Sequence, residues 1–219
     1  GVRWKLDLYQ IRDFAIQTNR ERCIEIARAF LAERGVMVAS GNWRLKFEEN
    51  RGFLEYVHRS LGLGKPLPQI RDFPSTPASI RVQSGGDAQA EDATEVSVSP
   101  SGAITGYRLP SLLNELGGEL GDRQQAVASA RARMIRIVAP ADYEISEERV
   151  YEQTDPKGRR YYRVEWTAVH RDLPELSFRL RFGVAGGTVF SQSIDADVAE
   201  AFVERAGLVA RLYNTLTGF

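Results

Sequence analysis

Few residues in this 219-residue chain could carry chemistry, and their spacing limits what they could do. His58, His170 and Cys23 are its imidazoles and its thiol, far apart and without HExxH or CxxC spacing. Three or four converging ligands are therefore not expected, and no metal site is assigned. Glu48-Glu49 and Glu147-Glu148 are adjacent carboxylates. Neighbours on a strand or helix point apart, so neither pair makes an acid–base dyad and both read as solvated charge. Gly62-Leu63-Gly64-Lys65-Pro66 looks superficially like a phosphate loop. It lacks the first glycine at the required distance, and Pro66 stands where a hydroxyl should hold magnesium. No GxSxG nucleophile elbow occurs. No catalytic residue and no cofactor are expected, and the chain reads as a non-enzyme.

Arg159-Arg160-Tyr161-Tyr162-Arg163 interleaves base and aromatic as a single-stranded nucleic-acid surface does. However, 29 basic residues cancel 29 acidic ones, and phosphate binding requires a basic excess. The run reads instead as a hairpin strand, with Tyr162, Val164 and Trp166 on one face and Tyr161, Arg163 and Glu165 on the other. No nucleic-acid partner is expected. Trp43, Phe47, Trp166 and Phe182 are the candidates for an apolar ligand pocket between helix and sheet, with simple filling of the core as the alternative.

The elements that would position these residues follow from periodicity. Composition is that of an ordinary soluble globular protein, 43% hydrophobic and 26% charged. One cysteine precludes an internal disulfide, and no apolar run reaches the roughly 18–20 residues of a membrane helix. Val2, Trp4, Leu6 and Leu8 alternate as a strand. Thr18 and Glu21 fit a capping box, followed by a helix with Cys23, Ile24, Ala27, Phe30 and Leu31 inward and Gly35 at its end. A strand at 43–47 and a short helix at 51–61 follow, then a proline-rich irregular stretch at 62–79. Ile80 and Val82 mark another strand, 83–94 a polar loop, and 96–107 a hairpin.

After a glycine-containing connector at 109–121, Asp122 caps a second helix with Val127, Ala130, Met134, Ile137 and Val138 inward. Runs at 148–153, 160–169, 176–184 and 188–194 read as an antiparallel meander, with turns at 155–158, 172–175 and 186–187. Residues 197–217 form an amphipathic C-terminal helix. The expected fold is α+β: two tandem units, 1–110 and 111–219, each a capped helix on an antiparallel sheet. The extra helix and long loops are assigned to the first unit and the C-terminal helix to the second. A single α+β domain with coincidental internal similarity is the alternative.

The order "RERCIEIARAFLAERGV" (20–36), "FLEYVHRSLG" (53–62), "VSVSPSGAITGYRLP" (96–110), "DRQQAVASARARMIRIV" (122–138), "YYRVEWTAV" and "VAGGTVFSQSIDADVAEAFVERAG" resembles the extracytoplasmic region of some bacterial CPBP/CAAX-type intramembrane proteases. The helix, sheet and closing hairpin used twice also resemble tandem PepSY-type units. The resemblance implies a non-catalytic regulatory or sensor domain, tethered outside the cell membrane, whose partner is the membrane-embedded part of the parent chain or an extended peptide. That family's Glu-Glu-x-x-x-Arg and membrane histidines are absent; Glu48-Glu49-Asn50-Arg51 has the wrong spacing. Gly1 and the late methionines, Met37 and Met134, read as an excised portion of a longer chain with membrane-spanning flanks. A free-standing extracytoplasmic binding protein for a small ligand or peptide is the alternative function.

Overall fold

A computed structural model describes residues 19–38, 43–60, 73–76, 78–84, 93–116, 120–202 and 204. Helix α1 (Arg20–Ala32) buries Cys23, Ala27, Phe30 and Leu31, a single stripe at helical spacing. Its N-cap is Asn19, whose side chain accepts from the Arg22 amide at 2.8 Å, and not the expected Thr18, which lies outside the described residues. Asn caps as effectively as Thr and stands one residue closer to the helix. Strand β1 (Trp43–Glu49) leads into helix α2 (Arg51–Ser60). Three strands follow: β2 (Ala78–Ser84), β3 (Thr94–Val98) and β4 (Ile104–Arg108).

The connector at 109–121 is not all irregular. Helix α3 (Pro110–Glu115) forms there, because Pro110 at the first turn has the φ a helix start needs and Leu113 is buried. Helix α4 (Arg123–Ile135) is capped as expected, with Asp122 accepting from the Gln124 and Gln125 amides. Its buried stripe is Ala126, Ala130 and Met134. Five further strands follow: β5 (Tyr143–Ile145), β6 (Arg149–Thr154), β7 (Arg160–His170), β8 (Leu173–Ala185) and β9 (Thr188–Val198).

Two expected boundaries move. The turn at 172–175 shortens, because Leu173 already pairs with His170 and Pro174 sits near the strand start, where its missing amide costs least. Asp197 and Val198, expected to open the C-terminal helix, instead pair with Ser177 and Leu176 on β8. Helix follows only from residue 200. Residues 205–219, the expected strand at 2–8, Leu61, Gly62 and most of the proline-rich stretch and polar loop lie outside the described residues.

The nine strands among the described residues form one antiparallel sheet in the order β1-β2-β3-β4-β9-β8-β7-β5, with β6 also on β7. The fold is α+β, with few helices on a large antiparallel sheet. Strands from residues before 110 make one half and those after 142 the other. The halves meet at a seam where β4 pairs with β9 through Tyr107–Gln192 and Arg108–Ser191. The Gly186-Gly187 turn, both φ positive, closes β8 and β9 as the twist of a tight hairpin requires.

Strand alternation puts Tyr107 and Gln192 on the same sheet face. Phe30 of α1 packs on Tyr107 (ring centroids 5.1 Å), and Arg133 of α4 donates to Gln192 Oε1 at 2.8 Å, so both long helices cover that face. Phe53 of α2 packs edge-on against Phe178 of β8, centroids 5.8 Å apart, on the same side. Although α2 comes from the first half, its Phe53, Tyr56 and Val57 join the core of the second, with Trp166, Phe178, Leu180 and Phe182. The first half keeps a separate core around Leu31, Trp43, Val82, Val96 and Tyr107.

Candidate functional site: the sheet face opposite α1, α2 and α4

With α1, α2 and α4 on one face, the odd-numbered residues of β8 and β9 point away from them. Over the seam this opposite face forms a cleft of about 380 Å³, within the ordinary size range of ligand sites. Both halves supply it: Arg81, Glu95 and Ser97 from β2 and β3, and Arg163, Arg181 and Ser193 from β7, β8 and β9. Its floor is shallow because small residues meet at the seam. Gly106 lets β9 approach: a Cβ there would lie 3.0 Å from the Gln192 carbonyl oxygen. At Gly183 a Cβ would meet Phe190 at 2.8 Å, since a bulge between Gly183 and Val184 turns that ring onto it. Helix α3 closes this end with Pro110 and Leu113.

The charges on this face hold one another. Arg81 reaches Glu48 at 2.8 Å and Glu95 at 3.6 Å. Arg181 pairs with Asp195, and Arg163 with Glu165 at 2.9 Å. At the α3 end the half-buried pair Arg159–Asp155 is tied by Arg159 Nε donating to Asp155 Oδ2 at 2.6 Å, and Arg159 also donates to Asn114. Burial opposes ionisation of Asp155. Hydrogen bonds from the Arg159 side chain and amide, the Arg159 charge and the Lys157 amide outweigh it and hold the pKa below 3.8. Among the described residues Arg108 has no carboxylate partner.

Away from the junction the sheet opens. Beyond Gln192, β9 has no pairing with β4, and its outer carbonyls are met by side chains: Ser75 Oγ donates to Ile194 O at 3.2 Å and Asn50 Nδ2 to Ala196 O at 2.7 Å. A second, shallower cleft lies there, lined by Glu48, Ser75, Thr76, Ser79 and Asp195. A third, between α4 and Trp166, is bounded by Arg131, Met134 and Glu147.

On the helical side the seam is clasped. The guanidinium carbons of Arg34 (α1 end) and Arg133 (α4) lie 5.4 and 5.9 Å from the Tyr107 ring centre, so both charges act on its phenol. Burial lifts the phenol pKa above 10.0, while Arg133 and Arg34 pull against that rise.

The four residues expected to line an apolar pocket are not brought together. Trp166 and Phe182 pack in the second core, centroids 5.9 Å apart. Trp43 belongs to the first core, and Phe47 is 47% exposed on the edge strand. Each of the three clefts takes one of the group: Phe182, Phe47 and Trp166 respectively. Sheet order explains the result, since all four face the helical side but Trp43 and Phe47 lie on β1, at the far end of the sheet from Trp166 and Phe182 on β7 and β8. The carboxylate pairs are engaged rather than merely solvated: Glu48 holds Lys46 and Arg81, and Glu148 holds Arg131 at 2.6 Å. His170 packs edge-on to Phe73 and Tyr143, and its Nδ1 accepts from the Asp172 amide at 3.2 Å. The His58 side chain lies outside what is described. Among the described residues no group of three or more His, Cys, Asp or Glu is placed to hold a metal ion. No helix among them is long and apolar enough to cross a membrane.

No protein-family model matches the chain, and no curated protein matches it. A solved structure, the Bacillus megaterium YpeB C-terminal domain, aligns over 82% of this chain and 98% of that one, at 11% identity and a TM-score of 0.20. At that score the likeness carries no argument about fold or function.

Proposed function

We propose that this chain is a non-catalytic binding module, a regulatory or interaction domain that receives its ligand on the sheet face opposite α1, α2 and α4. The observation that carries the reading is the cleft over the seam, to which both half-sheets contribute. A ligand seated there touches both, so its binding and the angle between the halves are coupled. In this reading the halves are two units of one PepSY-like design, 1–110 and 111–219, joined through their closing hairpins. The sheet order supports it, running β1 to β4 inward from one edge and β5, β7, β8, β9 inward from the other. The module sits outside the cytoplasmic membrane as part of a membrane protein such as a CPBP-type protease, and its partner is that protein's membrane part.

Location is open to a direct test in the parent protein. Ser193 is exposed in the cleft and Cys23 is buried. A Ser193→Cys variant should react with a membrane-impermeant maleimide in intact cells. Labelling only after lysis would put the module on the other side of the membrane and sink that part of the reading.

A further inference from the structure

The chemistry of the cleft narrows its ligand, on the reading that the cleft is the binding site. We propose that it holds an uncharged, polyhydroxylated chain, an oligosaccharide. The lining carries Arg81, Arg108, Arg159, Arg163 and Arg181 against Glu48, Glu95, Asp155 and Asp195, close to electrical balance. Four of the arginines are already spent on carboxylates. A strongly charged ligand seated on these four would have to break a pair and strand its partner on a half-buried surface, Glu48 and Glu95 being only 26% and 23% exposed, and the fifth, the exposed Arg108, offers it a single charge. A sugar hydroxyl both donates and accepts, as any hydroxyl does. It can donate to the carboxylate and accept from the guanidinium of one pair without separating them. Neighbouring hydroxyls on a ring match the fork of a guanidinium and the two oxygens of a carboxylate.

The same face suits a peptide poorly. Strand addition needs an open ladder, and at the seam β3, β4, β9 and β8 are paired to one another. Side-chain anchors need pockets, and the apolar residues at the α3 end, Leu113 and Phe190, are 2% and 4% exposed. The floor offers hydroxyls instead: Ser97, Thr105, Ser191 and Ser193. Tyr161, half-buried with its ring edge-on to Phe190 at 5.1 Å, gives the apolar face of a sugar ring a surface to lie against.

Amide chemical shifts test the proposal with maltotetraose, cellotetraose and chitotetraose as uncharged probes, and with tetragalacturonate and a capped Ser/Ala octapeptide as rivals. A neutral tetrasaccharide should saturably shift the amides of Ser97, Ser191 and Ser193. Arg81→Gln should weaken it about tenfold, the scale of one charged hydrogen bond, while Arg136→Gln on the helical side leaves it unchanged. If Arg81→Gln misfolds, Ser193→Arg fills the cleft from an exposed position and should abolish the shifts. Cleft shifts with the peptide or tetragalacturonate alone would overturn the saccharide and leave the cleft standing. Silence from every probe would count against both.

Discussion

Tyr107 on β4 lies opposite Gln192 on β9, and the two hold the half-sheets together from the helical side. Two register pairs join β4 to β9, whereas ten join β8 to β9. The seam therefore depends on side chains: Arg133 binds Gln192, Gln192 Nε2 donates to Thr105 O at 3.3 Å, and Arg34 and Arg133 both meet the phenol. Tyr107→Phe removes the hydroxyl that the Arg34 and Arg133 guanidiniums face. Hydrogen exchange of the Leu109 amide, which bonds Phe190 O at 2.9 Å, should accelerate about tenfold, a local opening cheaper than global unfolding. Amides between β7 and β8 should keep their rates. Equal acceleration throughout would mean the clasp is ordinary core packing.

The same phenol gives an alkaline signature. Its folded pKa stands above the unfolded value of 10.0. Its contribution to stability is complete below that value and is lost as pH rises through the folded pKa. Urea midpoints of the wild type should therefore fall above pH 10 more steeply than those of Tyr107→Phe. Parallel curves would refute the assignment.

Asp155 predicts the opposite limb. Its folded pKa is depressed below 3.8, so its contribution is present above the unfolded value and lost as pH falls through the folded one. Asp155→Asn should lower stability at neutral pH and flatten the acid limb of a denaturation series. An unchanged acid limb would show that the Arg159 pair contributes nothing to folding.

The apolar candidates separate by position. Trp166→Ala and Phe178→Ala remove side chains 3% and 0% exposed and should each cost about 3–5 kcal/mol. Phe47→Ala, at 47% exposure, should stay within about 0.5 kcal/mol. Chemical denaturation measures all three, and similar losses would return Phe47 to a shared core.

What the residues disclosed was local. Asp122 announced its helix because a cap and an apolar stripe occupy consecutive turns, and Tyr162, Val164 and Trp166 announced their face by alternation. β5 was missed because three residues cannot show a period, and α3 because its start is a proline inside a glycine-bearing connector. The hairpins at 96–107 and 179–194 were legible one at a time. That they meet, Tyr107 against Gln192, was not, since pairing between strands 85 residues apart leaves no local mark. The cleft shared this fate: its serines and paired arginines look like ordinary solvent-facing positions until the seam sets them side by side. The placement of α2 on the second half was hidden likewise, because Phe53 and Tyr56 show only that the helix has an apolar face.

The central claim is that this module binds through the sheet face opposite α1, α2 and α4. Amide shift mapping of the folded chain with the saccharide and peptide probes measures it most directly. The account predicts saturable shifts confined to β2, β3, β4, β8 and β9 around Ser97, Ser191 and Ser193, abolished by Ser193→Arg. Shifts centred on α1 and α4, or none with any probe, would contradict it.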